Sequence, residues 1–281
     1  YIQRRQGKWE QCLQTLEKAY SINPRDTQII YELGGANISM HRYEQAEQWF
    51  NRALSIFPDH LPAQLGKVGI CILSEGNTEK ARALLERLPP LRFCLALEFL
   101  LVMLGRNYKD VLDLLASLSY GSFEDQHFYF QKNLAYASVY YAMKDLVRMK
   151  IQAESARIIL EKAVRERSED QRFHAALGLA YAYLDRKEEA IDEGNRAEKL
   201  HPVSKDAAQG PIYLLNLARI YTLVGEYEKA IDQLEYLLSI PQAEYLWQLV
   251  SVPQLRLDPQ WDPLRDQPRF QRFMEENSSN K

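Results

Sequence analysis

Pro24 and Pro58 lie 34 residues apart, and most of what falls between them recurs at that offset: Trp9 maps to Tyr43, Cys12 to Ala46, Leu16 to Phe50 and Ala19 to Ala53. A constant shift that preserves residue size marks a two-helix repeat, and a repeat decides the architecture before any local propensity does. Each unit buries its apolar face only against its neighbours, so the chain must stack into an array. Such an array offers an extended surface for holding a partner rather than a pocket for chemistry.

The clearest unit runs from Thr27 to His60. Leu33-Gly34 falls in the middle of its first helix and Tyr43 starts its second. Ala46, Phe50 and Ala53, at spacings of 4 and 3, share one helical face. Gly34 and Ala46 are small where the two helices cross, and a larger side chain there overpacks by roughly 1–3 kcal/mol. Pro58 ends the second helix because its ring cannot continue the hydrogen-bond ladder. Further copies are Leu177-Gly178, Tyr181, Ala190, Ala197 and Pro202, then Leu217-Ala218, Tyr221, Tyr227, Ala230, Leu234 and Leu237. Gly194 replaces an aromatic in the former, which predicts thin packing at that point. The chain begins at Tyr1 in mid-pattern, without Met, and reads as a fragment whose native start lies upstream.

These residues resemble the tetratricopeptide repeat signature W-x2-L-G-x2-Y, A-x3-F, A and P. The resemblance implies an all-α fold, a right-handed superhelical solenoid of antiparallel helix hairpins with about seven units and a C-terminal cap. The units read as 1–26 (truncated), 27–60, 61–90, 91–121, 122–169, 170–202 and 203–243, with the cap over 244–281. The middle units are degenerate, with turns at Glu75-Gly76-Asn77 and Gly105-Arg106-Asn107 and helices expected over Gln126–Met143 and Asp145–Arg167. Met149, Ala153 and Ala156 are the inward positions of the long helix. Ala243 to Val250 reads as a short helix, Asp258 and Asp266 as N-caps before Pro259 and Pro268, and Asn277 to Lys281 as a fraying tail. Trp261, Leu264, Phe270 and Phe273 would cover the end of the last hairpin. This ending, with Val203 to Ala207 and Gly210-Pro211, is similar to the tetratricopeptide arrays of bacterial multidomain regulators linked to a cyclase, winged-helix or kinase domain.

Little in the sequence points to chemistry. His41, His60, His127, His174 and His201 never fall three or four residues from another His or Cys, so zinc templates fail and no cofactor is expected. His41 and His201 read as surface residues, and His174 as packing against the next hairpin. Acidic pairs such as Glu188-Glu189 sit at helix ends, where the helix dipole favours them and no cleft raises a carboxyl pKa. The glycine pairs lack the Lys-Ser/Thr of a phosphate loop. A net charge of −3 opposes nucleic-acid binding, and the apolar run from Phe93 to Leu104 is too short for membrane insertion. Three cysteines without C-x-x-C spacing suit a reducing, cytoplasmic setting.

In tetratricopeptide proteins the concave face is lined by positions 2, 5, 9, 12 and 13 of the first helices. The resemblance therefore implies Arg4, Arg5, Tyr31, Ile38, Tyr141, Tyr183 and Arg219 as partner-binding residues, with Leu134, Ser138, Leu179 and others beside them. Tyr and Arg dominate binding hot spots, although these tyrosines have a second reading as packing between hairpins. The Lys and Asn of a two-carboxylate chaperone clamp are absent: positions 5 and 9 read Tyr31 and Gly35, Leu65 and Gly69, Ala175 and Leu179, Leu215 and Arg219. The expectation is a non-catalytic array that binds a protein or peptide partner. The alternatives are the substrate-holding part of a multidomain enzyme, or a homo-oligomer paired through Ile2, Trp9 and Leu13.

Overall fold

The computed structural model describes residues 2–89, 94–124, 129–242 and 248–277. It is an antiparallel helix array: α1 (Ile2–Arg5) and α2 (Trp9–Ile22), α3 (Thr27–Ser39) and α4 (Tyr43–Ile56), α5 (Leu61–Ile70) and α6 (Thr78–Leu85), α7 (Cys94–Leu104) and α8 (Tyr108–Ser117), α9 (Lys132–Ala142) and α10 (Leu146–Glu166), α11 (Gln171–Tyr183) and α12 (Lys187–Leu200), α13 (Gly210–Leu223) and α14 (Tyr227–Ser239). Each pair turns on one residue in the left-handed region, in order Gly7, His41, Gly76, Arg106, Lys144, Asp185 and Gly225, with φ between 54° and 79°. Four of these carry a side chain, at a cost of roughly 1–2 kcal/mol each. The backbone turn is therefore more regular than the residues that make it.

Capping defines most first helices. Asp26 accepts from the backbone N–H of Gln28 and Ile29, and Asp170 from that of Arg172. The second helices bury their small and aromatic stripe: Ala46, Phe50 and Ala53, then Met149, Ala153, Ala156 and Leu160 on the 21-residue α10. Gly34 has a sharper role than helix crossing. A Cβ there would meet the Phe50 ring at 2.3 Å, and one on Gly66 would meet the same ring at 2.4 Å. The ring is wedged between two glycines of successive units and cannot move aside. Gly194 corrects the expectation of thin packing. Ile220 and Leu217, from the next unit, fill the space of the missing aromatic to within 2.8 Å of where a Cβ would sit.

Three local departures follow from competing signals. Helix α5 ends in a π-helical segment, Cys71–Glu75, before Gly76. Two short strands, β1 (Ser122–Glu124) and β2 (Tyr129–Gln131), pair antiparallel with Phe123 opposite Phe130. The first helix of that unit therefore starts at Lys132, where Gln131 Oε1 caps it by accepting from Leu134 N, rather than at Gln126. An aromatic run favours extended backbone over a helix start. Gln267, not Asp266, occupies the N-cap of α16 (Pro268–Glu276).

After α14 the chain turns inward. The Ile240 carbonyl accepts from His41 Nε2 at 3.0 Å, and Gln242 N donates to the Ser39 carbonyl at 2.9 Å. Buried Gln242 then ties the segment to itself, donating to the Leu237 and Val250 carbonyls and accepting from Val250 N. Leu249 joins the cluster of Ile30, Ile38 and Phe50. Pro253, at the start of α15 (Val252–Leu257), packs on Gly76. Asp258 caps a 3-10 turn over Pro259–Leu264, and Asp262 there takes both Arg106 Nη atoms at 2.6 and 2.8 Å. Trp261, Leu264, Phe270 and Phe273 then pack on Leu217, Leu234 and Leu237, covering the end of the last hairpin. The positions 243–247 of the expected short helix, and the tail beyond Asn277, lie outside the described residues, as does His127.

The ends of the array also meet directly. Arg5 Nε pairs with buried Asp206 at 2.6 Å, and the Arg5 carbonyl accepts from Ala207 N. The two histidines expected at the surface both belong to this seam. His201 is largely buried beside Asp206 and the Tyr213 ring. His41 is half-buried; because a carbonyl can only accept, its Nε2 carries the proton and its Nδ1 accepts from the Tyr43 hydroxyl at 3.1 Å. His174 is buried by its partners, Glu193 and the Ser168 carbonyl.

Gly34→Ala should destabilise the chain by roughly 1–3 kcal/mol in urea unfolding. Gly35→Ala, where a Cβ meets nothing within 4 Å, should stabilise it by roughly 0.5–1 kcal/mol through helix propensity. Burial holds His41 below its usual pKa despite its bond to Ile240. The unfolded chain therefore takes up the proton first, and stability falls as pH drops below about 6.5. His41→Asn, which tolerates the left-handed turn, should lose less melting temperature between pH 7 and 5.5 than the parent chain.

Candidate functional site

The inward placement of residues 240–242 and 248–264 decides what remains of the concave face. Arg4 is buried and holds Glu32, with Nη2 2.9 Å from both its carboxylate and its carbonyl. Arg5 is spent on Asp206, and Ile38 is sealed in the cluster that includes Leu249. Tyr31 is half-buried against the Phe50 and His60 rings. These four predicted positions do not come together with the other three. Trp9 and Leu13, expected at an open edge, are buried as well; Ile2 is exposed.

The remaining positions converge. Tyr141 on α9, Tyr183 on α11 and Arg219 on α13 line one cavity of about 290 Å³, with Leu134, Ser138 and Leu179 from the same set of inward positions. The Tyr141 and Tyr183 rings lie 5.7 Å apart. Phe99 and Met103 on α7 and Leu115 on α8 form the opposite wall, and Phe130 of β2 joins them. The Cys94–Leu104 helix is apolar nearly all round because it is covered by α8 on one side and faces this cavity on another.

Sequence reasoning missed Asp258 and Gln260, which enter the wall from the C-terminal segment. The Asp-Pro capping signal was readable, but its position 39 residues beyond Arg219 along the chain says nothing of where the cap lands. Arg219 Nη1 donates to Asn216 Oδ1 at 3.2 Å, while its Nε is sealed from solvent with no acceptor. Burial lowers its pKa, partly offset by the field of Asp258. Burial likewise raises the Asp258 carboxyl, against the pull of the Gln260 N–H and Arg219. Burial also raises the Tyr183 and Tyr141 hydroxyls. The cavity thus combines an apolar wall with one poorly satisfied guanidinium. Among the described residues no group of three or more His, Cys, Asp or Glu is placed to hold a metal, and no helix is long and apolar enough to cross a membrane.

A tetratricopeptide repeat family model matches residues 3–64 and 41–92, and a second tetratricopeptide repeat model matches 214–243. No curated protein matches the sequence. Among solved structures, the chain is similar to one in the APC/C hetero-tetramer Cut9-Hcn1, with 15% identity and a TM-score of 0.51 over 94% of this chain and 47% of that one. It therefore spans about half that chain's length, and the likeness is one of fold. YrrB, described as a tetratricopeptide repeat protein with an unusual peptide-binding site, is 13% identical over 95% of this chain and 98% of that one, with a TM-score of 0.27. MamA 41-end from Desulfovibrio magneticus RS-1 is 15% identical over 85% and 88%, with a TM-score of 0.23.

A buried cation without a contacting counter-charge costs stability where it stands. Arg219→Met, which keeps the volume and removes the charge, should raise the urea midpoint, by about 1 kcal/mol in stability.

Proposed function

Since the chain is a tetratricopeptide-repeat protein, we propose that it is a non-catalytic protein-interaction scaffold whose partner engages the concave face where residues 240–242 and 248–264 leave it open. The observation that carries this reading is the convergence of Tyr141, Tyr183 and Arg219, from three successive hairpins, on one opening. Aromatic rings and a guanidinium around an apolar recess are the groups that dominate interface energetics. A peptide or helix from the partner would seat an apolar side chain there. Arg5 ties the two ends of the array instead, Arg4 holds Glu32, Ile38 packs under Leu249, and Tyr31 rests on the Phe50 and His60 rings. The narrower resemblance suggests the setting: the regulatory part of a larger bacterial signalling or transcription regulator, acting in the cytoplasm. The substrate-holding part of a multidomain enzyme is the competing context, and in both the array itself holds rather than reacts.

One observation favours self-association as a second reading. Val147, Ile151 and Ile158 are more than half exposed on the outer face of α10, at spacings of 4 and 7 that put them in one stripe. A helix face of this kind can pair with its own copy about a two-fold axis. Sedimentation at micromolar concentration should then show a dimer that Val147→Glu with Ile151→Glu converts to monomer. A parent chain already monomeric would remove this reading.

The groove itself is tested by capture from the native lysate on the immobilised chain. Partners held by the parent should be lost at least tenfold by Tyr141→Ala combined with Arg219→Met, with helical circular dichroism unchanged. Equal capture by that folded variant would refute the assignment.

A further inference from the structure

We propose that the cavity between α7, α9, α11 and α13 is a binding site for a small monocarboxylate of roughly eight to ten carbons in all, most of them an apolar tail, anchored by its carboxylate on Arg219. This goes beyond the scaffold reading and requires no protein partner.

The volume, about 290 Å³, lies at the small end of ligand sites and suits a short aliphatic or aryl chain. Leu95, Phe99, Met103, Leu115, Leu134 and Leu179 give it a wall that water wets poorly and an apolar tail fills. The polar requirement is set by Arg219. A guanidinium carries five N–H donors. Among the described residues the guanidinium makes one hydrogen bond, donating to the neutral Asn216 amide oxygen, and Nε makes none. Among the described residues no carboxylate lies within ion-pair distance of Arg219, although it lines an enclosed recess rather than open solvent. A carboxylate matches the planar fork and supplies two acceptors at once, in surroundings that strengthen the charge-assisted bond.

Asp258 does not fill this role. Its carboxylate is engaged with the Gln260 N–H at 2.9 Å, and burial favours its neutral form. Burial raises its carboxyl pKa, which lessens its repulsion of an incoming anion. The remaining ligand chemistries fit less well. A phosphate would bring about two charges to one cation. A neutral alcohol or hydrocarbon would fill the wall and leave the guanidinium as it is.

The test compares octanoate, 3-phenylpropionate and 1-octanol on the intact chain by calorimetric titration and thermal shift. At least one of the two acids should bind and raise the melting temperature, and 1-octanol should bind at least tenfold more weakly than octanoate. Arg219→Met should abolish the preference for the acid over the alcohol. Ser138→Leu, which places a side chain in the cavity from α9, should weaken all three. Absence of binding by both acids at millimolar concentration overturns the proposal. So does equal affinity for octanoate and 1-octanol in the parent chain, a comparison that depends on no variant, or unchanged octanoate binding by Arg219→Met.

Discussion

Ser39 ends one first helix, Gly76 and Arg106 turn the chain out of two more, and the C-terminal residues 240–242 and 248–264 meet all three. A stack of helix hairpins has two costs that stacking cannot remove: an apolar end face and a lined inner face open to water. Here one stretch of chain covers both. Its start closes on His41 and Ser39, and its end lays Trp261 and Leu264 on the last hairpin. Every functional reading is conditioned by that strap, because it decides which inward positions a partner or ligand can still reach.

The hydrogen bonds of the strap show why it holds its path. Extended chain crossing an apolar face must satisfy its polar backbone or pay for the loss. Gln242 does much of this by bonding two carbonyls and one N–H, and Asp258 and Ser251 cap the short turns that follow. The Arg5–Asp206 pair and the His41–Ile240 bond then tie the first hairpins to the last. Stability that would otherwise be shared only between neighbours is thereby coupled across the chain. The centre of the array is left with a recess whose wall is apolar and whose one guanidinium is incompletely satisfied.

Much of the fold was legible because a helix hairpin is a local object. The 34-residue offset, the Ala46-Phe50-Ala53 stripe and the Met149-Ala153-Ala156 register depend on spacings within one or two helices, and they sit inward in the structure. The glycines were readable as small, but not the reason. Gly34 and Gly66 are needed because one Phe50 ring fills the space at both, a three-body fit that no pairwise spacing encodes. The strand pair before α9 was missed because an aromatic run within a helical repeat supports either state until its partner strand is known.

The candidate site divides along the same line. The resemblance to the repeat family implied that Arg4, Ile38, Tyr141, Tyr183 and Arg219 face inward, since a helix fixes the direction of each side chain relative to its repeat. Only tertiary structure decided which of them stay accessible. Contacts between residues some two hundred positions apart, such as Arg5 with Asp206 and His41 with Ile240, consume the early positions and leave the central three around one recess. Local spacing carries no information about such closure, because it depends on the summed curvature of all the hairpins and on where the C-terminal segment finds its partners.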